Sequence, residues 1–151
     1  MPSAIKNLKP LIDILLAMSF KGWEKDFIFY QRVGRLATSS PDGSIHVVPV
    51  CYVYEDDVIY VATPIRSKKV KNLRRNPKAT LIVDEYTEDW HRLRGIMVLC
   101  KASIIESGEE FKKAKEALYK KFEQYGKIYE IKEGELAMIK LMPEKVLSWS
   151  Y

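Results

Sequence analysis

Apolar positions along this chain recur first with a helical period and then with a strand period. Leu8, Leu11, Ile12, Leu15 and Leu16 are spaced three and four apart, which predicts an amphipathic helix over about residues 5–18. From Val33 the period drops towards two. VGRLATSS leads into a Pro41-Asp42-Gly43 turn and then the run SIHVVPVCYVY. In a strand, Ile45, Val47, Pro49, Cys51 and Val53 share one face of that run, and His46, Val48, Val50, Tyr52 and Tyr54 the other. Both faces are largely apolar, as expected when a strand has a core on one side and a ligand or subunit on the other. Pro49 has no amide proton, so it implies an edge, a bulge or a backbone approached by something else.

Further elements follow in order. An acidic turn, Glu55-Asp56-Asp57, precedes the strand VIYVAT, and adjacent carboxylates in a turn read as a solvated tip rather than a metal cluster. A short basic helix over residues 68–75 is then opened by Ser67 as N-cap and stopped near Asn76 by Pro77. KATLIVDEY and GIMVLCKASIIE read as strands on either side of a polar loop through Trp90 and His91. Ser107-Gly108-Glu109-Glu110 reads as a capping box for a helix running to about Tyr125, with Phe111, Ala114, Ala117, Leu118 and Phe122 on its buried face. ELAMIKLMPEKVLSW reads as two strands around a break at Met142-Pro143. Hairpin-length links predict a mainly β, α+β domain over residues 1–151, its six or seven antiparallel strands rolled into a barrel with flanking helices. Neither the strand–helix alternation nor the glycine motif of a dinucleotide-binding Rossmann fold is present.

The 151 residues are 47% hydrophobic and 30% charged, a globular balance that can bury a core. The net charge of +5 favours an anionic partner. The N-terminal apolar run is too short to cross a bilayer, carries Asp13 and lacks a cleavage pattern, so a soluble, cytoplasmic protein is expected. Cys51 and Cys100 have no metal-ligand spacing and are expected to be small buried hydrophobes. His46 has no partner visible in sequence, and Trp90 and Trp149 are expected in core or pocket.

The basic helix carries the most chemistry. Lys68, Lys69 and Lys71 occupy its first turn, where the helix dipole is already positive and each exposed cation costs roughly 0.3–1 kcal/mol. Free amides, a capping hydroxyl and ammonium groups together suit a phosphate. Arg74 and Arg75 lie at the favourable C-terminal end and need no ligand. Nucleic acid is disfavoured, because aromatic residues are not interleaved with KKVKNLRR.

The order and spacing of RVGRLATSSPDGSIHVVPV, VIYVAT, RSKKVKNLRRNPKATLIVD, DWHRLRG, KKFEQY and PEKVLSW resemble the pyridoxamine 5′-phosphate oxidase-like split-barrel family. DWHRLRG and KFEQY are most similar to a subgroup described as binding a deazaflavin in place of FMN. The resemblance implies a homodimer with two flavin sites at the subunit interface, FMN or a deazaflavin as cofactor, and hydride transfer to or from a small molecule, or flavin storage without turnover. It assigns Val47, Val48, Pro49 and Val50 to the ring wall, with Cys51 and Tyr52 beside it. Ala62 and Thr63 are assigned to the ribityl chain, and Ser67, Lys68 and Lys69 to the phosphate. Arg94 and Gly95 would reach the flavin edge from the partner subunit, and Trp149 would close the pocket. Pyridoxamine phosphate oxidation itself is not implied, because the chain ends at Tyr151 without the late basic residues that grip that substrate.

Overall fold

The computed structural model describes residues 20–151; the helix expected over residues 5–18 lies outside them. Helix α1 (Trp23–Tyr30) precedes strands β1 (Val33–Ser39), β2 (Ile45–Cys51), β3 (Val53–Glu55) and β4 (Val58–Pro64). Helix α2 (Lys68–Arg75), strand β5 (Lys78–Glu85), a 3-10 turn (Trp90–Arg92) and strand β6 (Arg94–Ile105) follow. Helix α3 (Glu109–Lys121) and strand β7 (Leu136–Ser150) complete the chain. The strands form one seven-stranded sheet in the order β2-β1-β5-β6-β7-β4-β3, with every pairing antiparallel.

The two edge strands of this sheet are consecutive in sequence. β2 ends at Cys51 and β3 begins at Val53, leaving only Tyr52 to pass from one edge to the other. One intervening residue spans at most about 7 Å between its neighbours' Cα atoms. A flat seven-stranded sheet would set its edges roughly 29 Å apart at normal strand spacing, so the sheet has to curl into a split barrel. Tyr52 is fully buried at the seam, and its hydroxyl donates to the Ile28 carbonyl of α1 at 2.6 Å. Burial also pushes the phenol above its ordinary pKa, which keeps it a neutral donor.

The barrel interior holds Leu36, Val50, Ile59, Val61, Leu81, Val83, Ile96, Val98, Ile139 and Leu141, plugged by Phe27 and Ile28 of α1 and Val70 and Leu73 of α2. A second cluster packs α3, through Phe111, Ala114 and Leu118, onto Tyr60 and Met138 on the outer side of β4 and β7. The outer side of β2, β1, β5 and the ends of β6 and β7 carries no helix among the described residues and shows Ile45, Val47, Val33 and Leu147 to solvent.

Four expectations need correction. The closing run is one strand of 15 residues, because a register shift opposite Leu99 and Cys100 absorbs Pro143 and Glu144 as a bulge. The cap of α3 is Gly108 (φ 94°) with no side-chain hydrogen bond, so Ser107 does not form the capping box. Glu110 instead accepts from Tyr60 at 2.8 Å and pairs with Lys140. Helix α3 stops at Lys121, four residues early, because Phe122 turns extended to enter the core. Cys51 is exposed, whereas Cys100 is buried as expected, with its thiol pushed up to about 12 by desolvation.

Replacing Tyr52 by Phe leaves the Ile28 carbonyl unpaired inside the seam. Urea unfolding should show a loss of about 1–3 kcal/mol, and Tyr52→Ala should cost more by adding a cavity.

Candidate functional site

The start of α2 is built as the sequence implies. Ser67 is extended, and its hydroxyl accepts from the Val70 amide at 3.4 Å while lying 3.3 Å from the Thr63 hydroxyl. That leaves the Lys68 and Lys69 amides of the first turn without intrahelical acceptors. The turn contains no acidic residue. Lys68 and Lys71, with Arg66, Asn72 and Pro41, line a concavity of about 450 Å³ between the helix and the β1–β2 turn. Asp42 in that turn is held below its usual pKa chiefly by the Ser44 hydroxyl and amide, with Lys68 a lesser contributor. Lys69 is half-buried, burial lowers its pKa, and it makes no ion pair among the described residues. An anion would offset that desolvation. Arg74 and Arg75 are engaged elsewhere, on Glu106 at 2.6 Å and on the Ser39 carbonyl at 3.0 Å.

Asn72 is a site residue that the sequence reading missed. It is buried, and its amide donates to the Thr38 hydroxyl at 3.0 Å, anchoring α2 to β1. Its position between Val70 and Leu73, on the buried stripe of a short basic helix, is the signal that could have exposed it.

β2 divides the expected wall residues between its faces. Val47, Pro49 and Cys51 face outwards, whereas Val50 and Tyr52 are buried and Val48 packs partly against the core. The outer side chains and the free backbone edge of β2 therefore form the accessible wall, and Pro49 removes one amide from that edge. β2 touches β4 across the seam, which brings this edge towards half-buried Ala62 and buried Thr63. Next to the wall, His46 Nδ1 is the only buried side-chain nitrogen or oxygen without a hydrogen-bond partner among the described residues. A hydrogen-bonding ligand or water is needed to satisfy it.

The remaining expected residues form a separate group. Gly95 pairs with Trp149 across β6 and β7. The indole lies so close that a Cβ on Gly95 would stand 2.3 Å from its Cζ2 atom, so only glycine permits this pose. Arg94 donates to Glu85 at 2.7 Å and sits 4.8 Å over the Phe27 ring. Along the sheet, β1 and β5 lie between this group on β6 and β7 and the wall on β2. The described chain thus carries two groups of the expected site residues on different strands of its outer face. Trp90, expected in core or pocket, is instead 69% exposed on the 3-10 turn, where the Asp89 carboxylate accepts from the His91 amide at 3.1 Å.

These features suit a flavin-type cofactor, with free amides and unpaired Lys69 for a phosphate tail and an apolar wall with a hydrogen-bonding edge for a planar ring. Solved structures with the same fold bind varied groups. A FAD-binding protein from Mesorhizobium loti is 23% identical over 85% of this chain and 94% of its own, with a TM-score of 0.67. A heme storage protein from Vibrio cholerae is 18% identical, covering 88% and 95%, with a TM-score of 0.68. An F420 reductase is 17% identical, covering 85% and 98%, with a TM-score of 0.65. At these identities the likeness shows the fold alone. No curated protein matches the chain in sequence. The family model described as pyridoxamine 5′-phosphate oxidase matches residues 24–150, from α1 to the last residue of β7, and the chain therefore belongs to the pyridoxamine 5′-phosphate oxidase-like split-barrel family.

Proposed function

We propose that this chain binds a flavin-type cofactor, FMN or a deazaflavin, in a cleft between two copies of itself, and serves hydride transfer to a small molecule. The observation that carries the reading is the start of α2. Three lysines without an acidic residue stand where the helix dipole disfavours them, and Lys69 is partly desolvated with no counter-ion. An anionic tail reverses that cost. Ser67, Lys68 and Lys69 would hold the phosphate, while Ala62 and Thr63 would flank the chain joining it to the ring. Val47, Pro49 and Cys51, with the backbone of Val48 and Val50, would support the ring, and Tyr52 would hold that wall in place from behind. When bound, the cofactor supplies the hydride chemistry, and the protein positions the ring and keeps water from it.

The two separate groups of residues support a dimer. A two-fold axis through the bare outer face would bring Arg94, Gly95 and Trp149 of one copy against β2 of the other. It would also cover Ile45, Val47, Val33 and Leu147, all at least 40% exposed in the single chain. A symmetric interface of this kind is self-complementary. The related F420 reductase and heme storage protein stand on either side of a second reading, in which the chain stores a cofactor without turnover. The lack of an evident acid–base pair beside β2 favours that alternative as much as the first.

Absorption between about 370 and 450 nm on titration with FMN or F420 is the first test, and absence of any bound cofactor would reject the assignment. Lys69→Ala should weaken binding about tenfold or more, as expected for loss of a charge-assisted phosphate contact, with the circular dichroism spectrum unchanged. Val47→Glu with Leu147→Glu should convert a sedimenting dimer to monomer and abolish cofactor binding together. Reduction of the bound cofactor without passage of its electrons to any acceptor would select storage over catalysis.

A further inference from the structure

At the Cys51 end of the wall, the surface opens into a cleft of about 870 Å³ between the start of β1, the end of α3 and the loop that follows. Its chemistry differs from that of the phosphate concavity. Arg32, Lys120 and Lys121 line it, and none of them forms an ion pair among the described residues. The two central cations are fixed by backbone carbonyls: Lys121 Nζ donates to Gln31 O at 2.5 Å and Arg32 Nη1 donates to Lys121 O at 3.0 Å. Both stand over aromatic rings, Lys121 at 4.2 Å from the Tyr52 centroid and Arg32 at 5.3 Å from that of Phe122. Burial, and then the neighbouring Arg32 charge, lower the Lys121 ammonium to about 8. The one carboxylate in the lining, Glu123, lies 3.4 Å from Lys127. Glu55 and Asp56 line the adjoining groove that shares these three cations; Asp56 is paired with Lys113 at 2.6 Å, and neither carboxylate forms an ion pair with Arg32, Lys120 or Lys121. Like charges are thus held together with no carboxylate in ion-pair contact among the described residues. Tyr125 and half-exposed Tyr129 add ring faces beside them, 6.5 Å apart.

We propose that this cleft binds a small aromatic anion, such as a carboxylate on a single ring, with Arg32 and Lys121 on the charge and Tyr125 and Tyr129 against the ring. Carbonyl-fixed cations lose little freedom on meeting an anion, and the aromatic lining prefers a planar body to a free inorganic ion. Cys51 joins the two sites, because its exposed side chain belongs both to the cleft lining and to the outer face of β2. The cleft's role as a substrate site rests on the flavin-type reading, which places a reacting ring against β2. Binding of the anion does not depend on it.

Titration calorimetry with 4-nitrobenzoate, and with neutral 4-nitrobenzamide as the matched probe, tests the proposal on the full chain, first alone and then saturated with FMN or F420. The carboxylate should bind more tightly than the amide. Arg32→Gln and Lys121→Met should each weaken its binding about tenfold or more without changing that of the amide, and Lys112→Gln should change neither. Arg32 is exposed, so its variant remains informative if Lys121→Met disturbs the seam. Equal binding of the two probes, or wild-type carboxylate affinity in both cleft variants, overturns the proposal. Binding of 4-nitrobenzoate by a chain that takes neither cofactor would leave the anion site standing and sink the cofactor reading alone.

Discussion

One covalent constraint organises the molecule. The two outermost strands of the sheet are joined through Tyr52, so the sheet must roll until its edges nearly meet. A tight connection between edge strands is incompatible with a flat or gently twisted sheet. Right-handed strand twist supplies some of the curl, and the bulge at Pro143 and Glu144 bends the longest strand further. The Tyr52 hydroxyl on Ile28 ties α1 to the same seam. Closure and the inner wall of β2 are therefore set by one side chain.

Closure also decides which surfaces remain available. Helices α1 and α2 plug the interior, and α3 covers the outer side of β4 and β7, where Tyr60, Glu110 and Lys140 form a bonded polar group at its margin. Among the described residues no helix covers the outer side of β2, β1 and β5. Exposed apolar side chains gathered on one sheet face, as Ile45, Val47, Val33 and Leu147 are here, suit an interface. The two ends of that face differ in character, with a stacked glycine–tryptophan pair across β6 and β7 and a proline-interrupted free edge on β2.

Charge is distributed against local helical preference for a reason outside the helix. Lysines at the start of α2 oppose its dipole, yet Ser67 caps it, Asn72 bonds it to β1 and Val70 and Leu73 bury its apolar side. Tertiary packing exceeds the few tenths to one kcal/mol that each misplaced cation costs. Such a helix can hold an electrostatically unfavourable end in readiness for an anion.

Much of this was legible in the chain itself. The capped basic helix, the hairpin turns, the strand periods and the order of segments that marks the family are local properties, written in residues a few positions apart. The three adjacent carboxylates of Glu55-Asp56-Asp57 also form a turn as the sequence suggests, with Asp56 and Asp57 at positive φ and Asp57 accepting from the Tyr54 hydroxyl. Local pattern could not decide which face of β2 stays bare, because both of its faces are apolar. Nor could it show that Pro143 sits in a continuous bulged strand, that Phe122 ends α3 by turning into the core, or that Trp90 stands exposed on the 3-10 turn. Least of all could it show Arg32 meeting Lys121, 89 positions away. Those outcomes depend on which distant segments share space, and only closure of the barrel settles that.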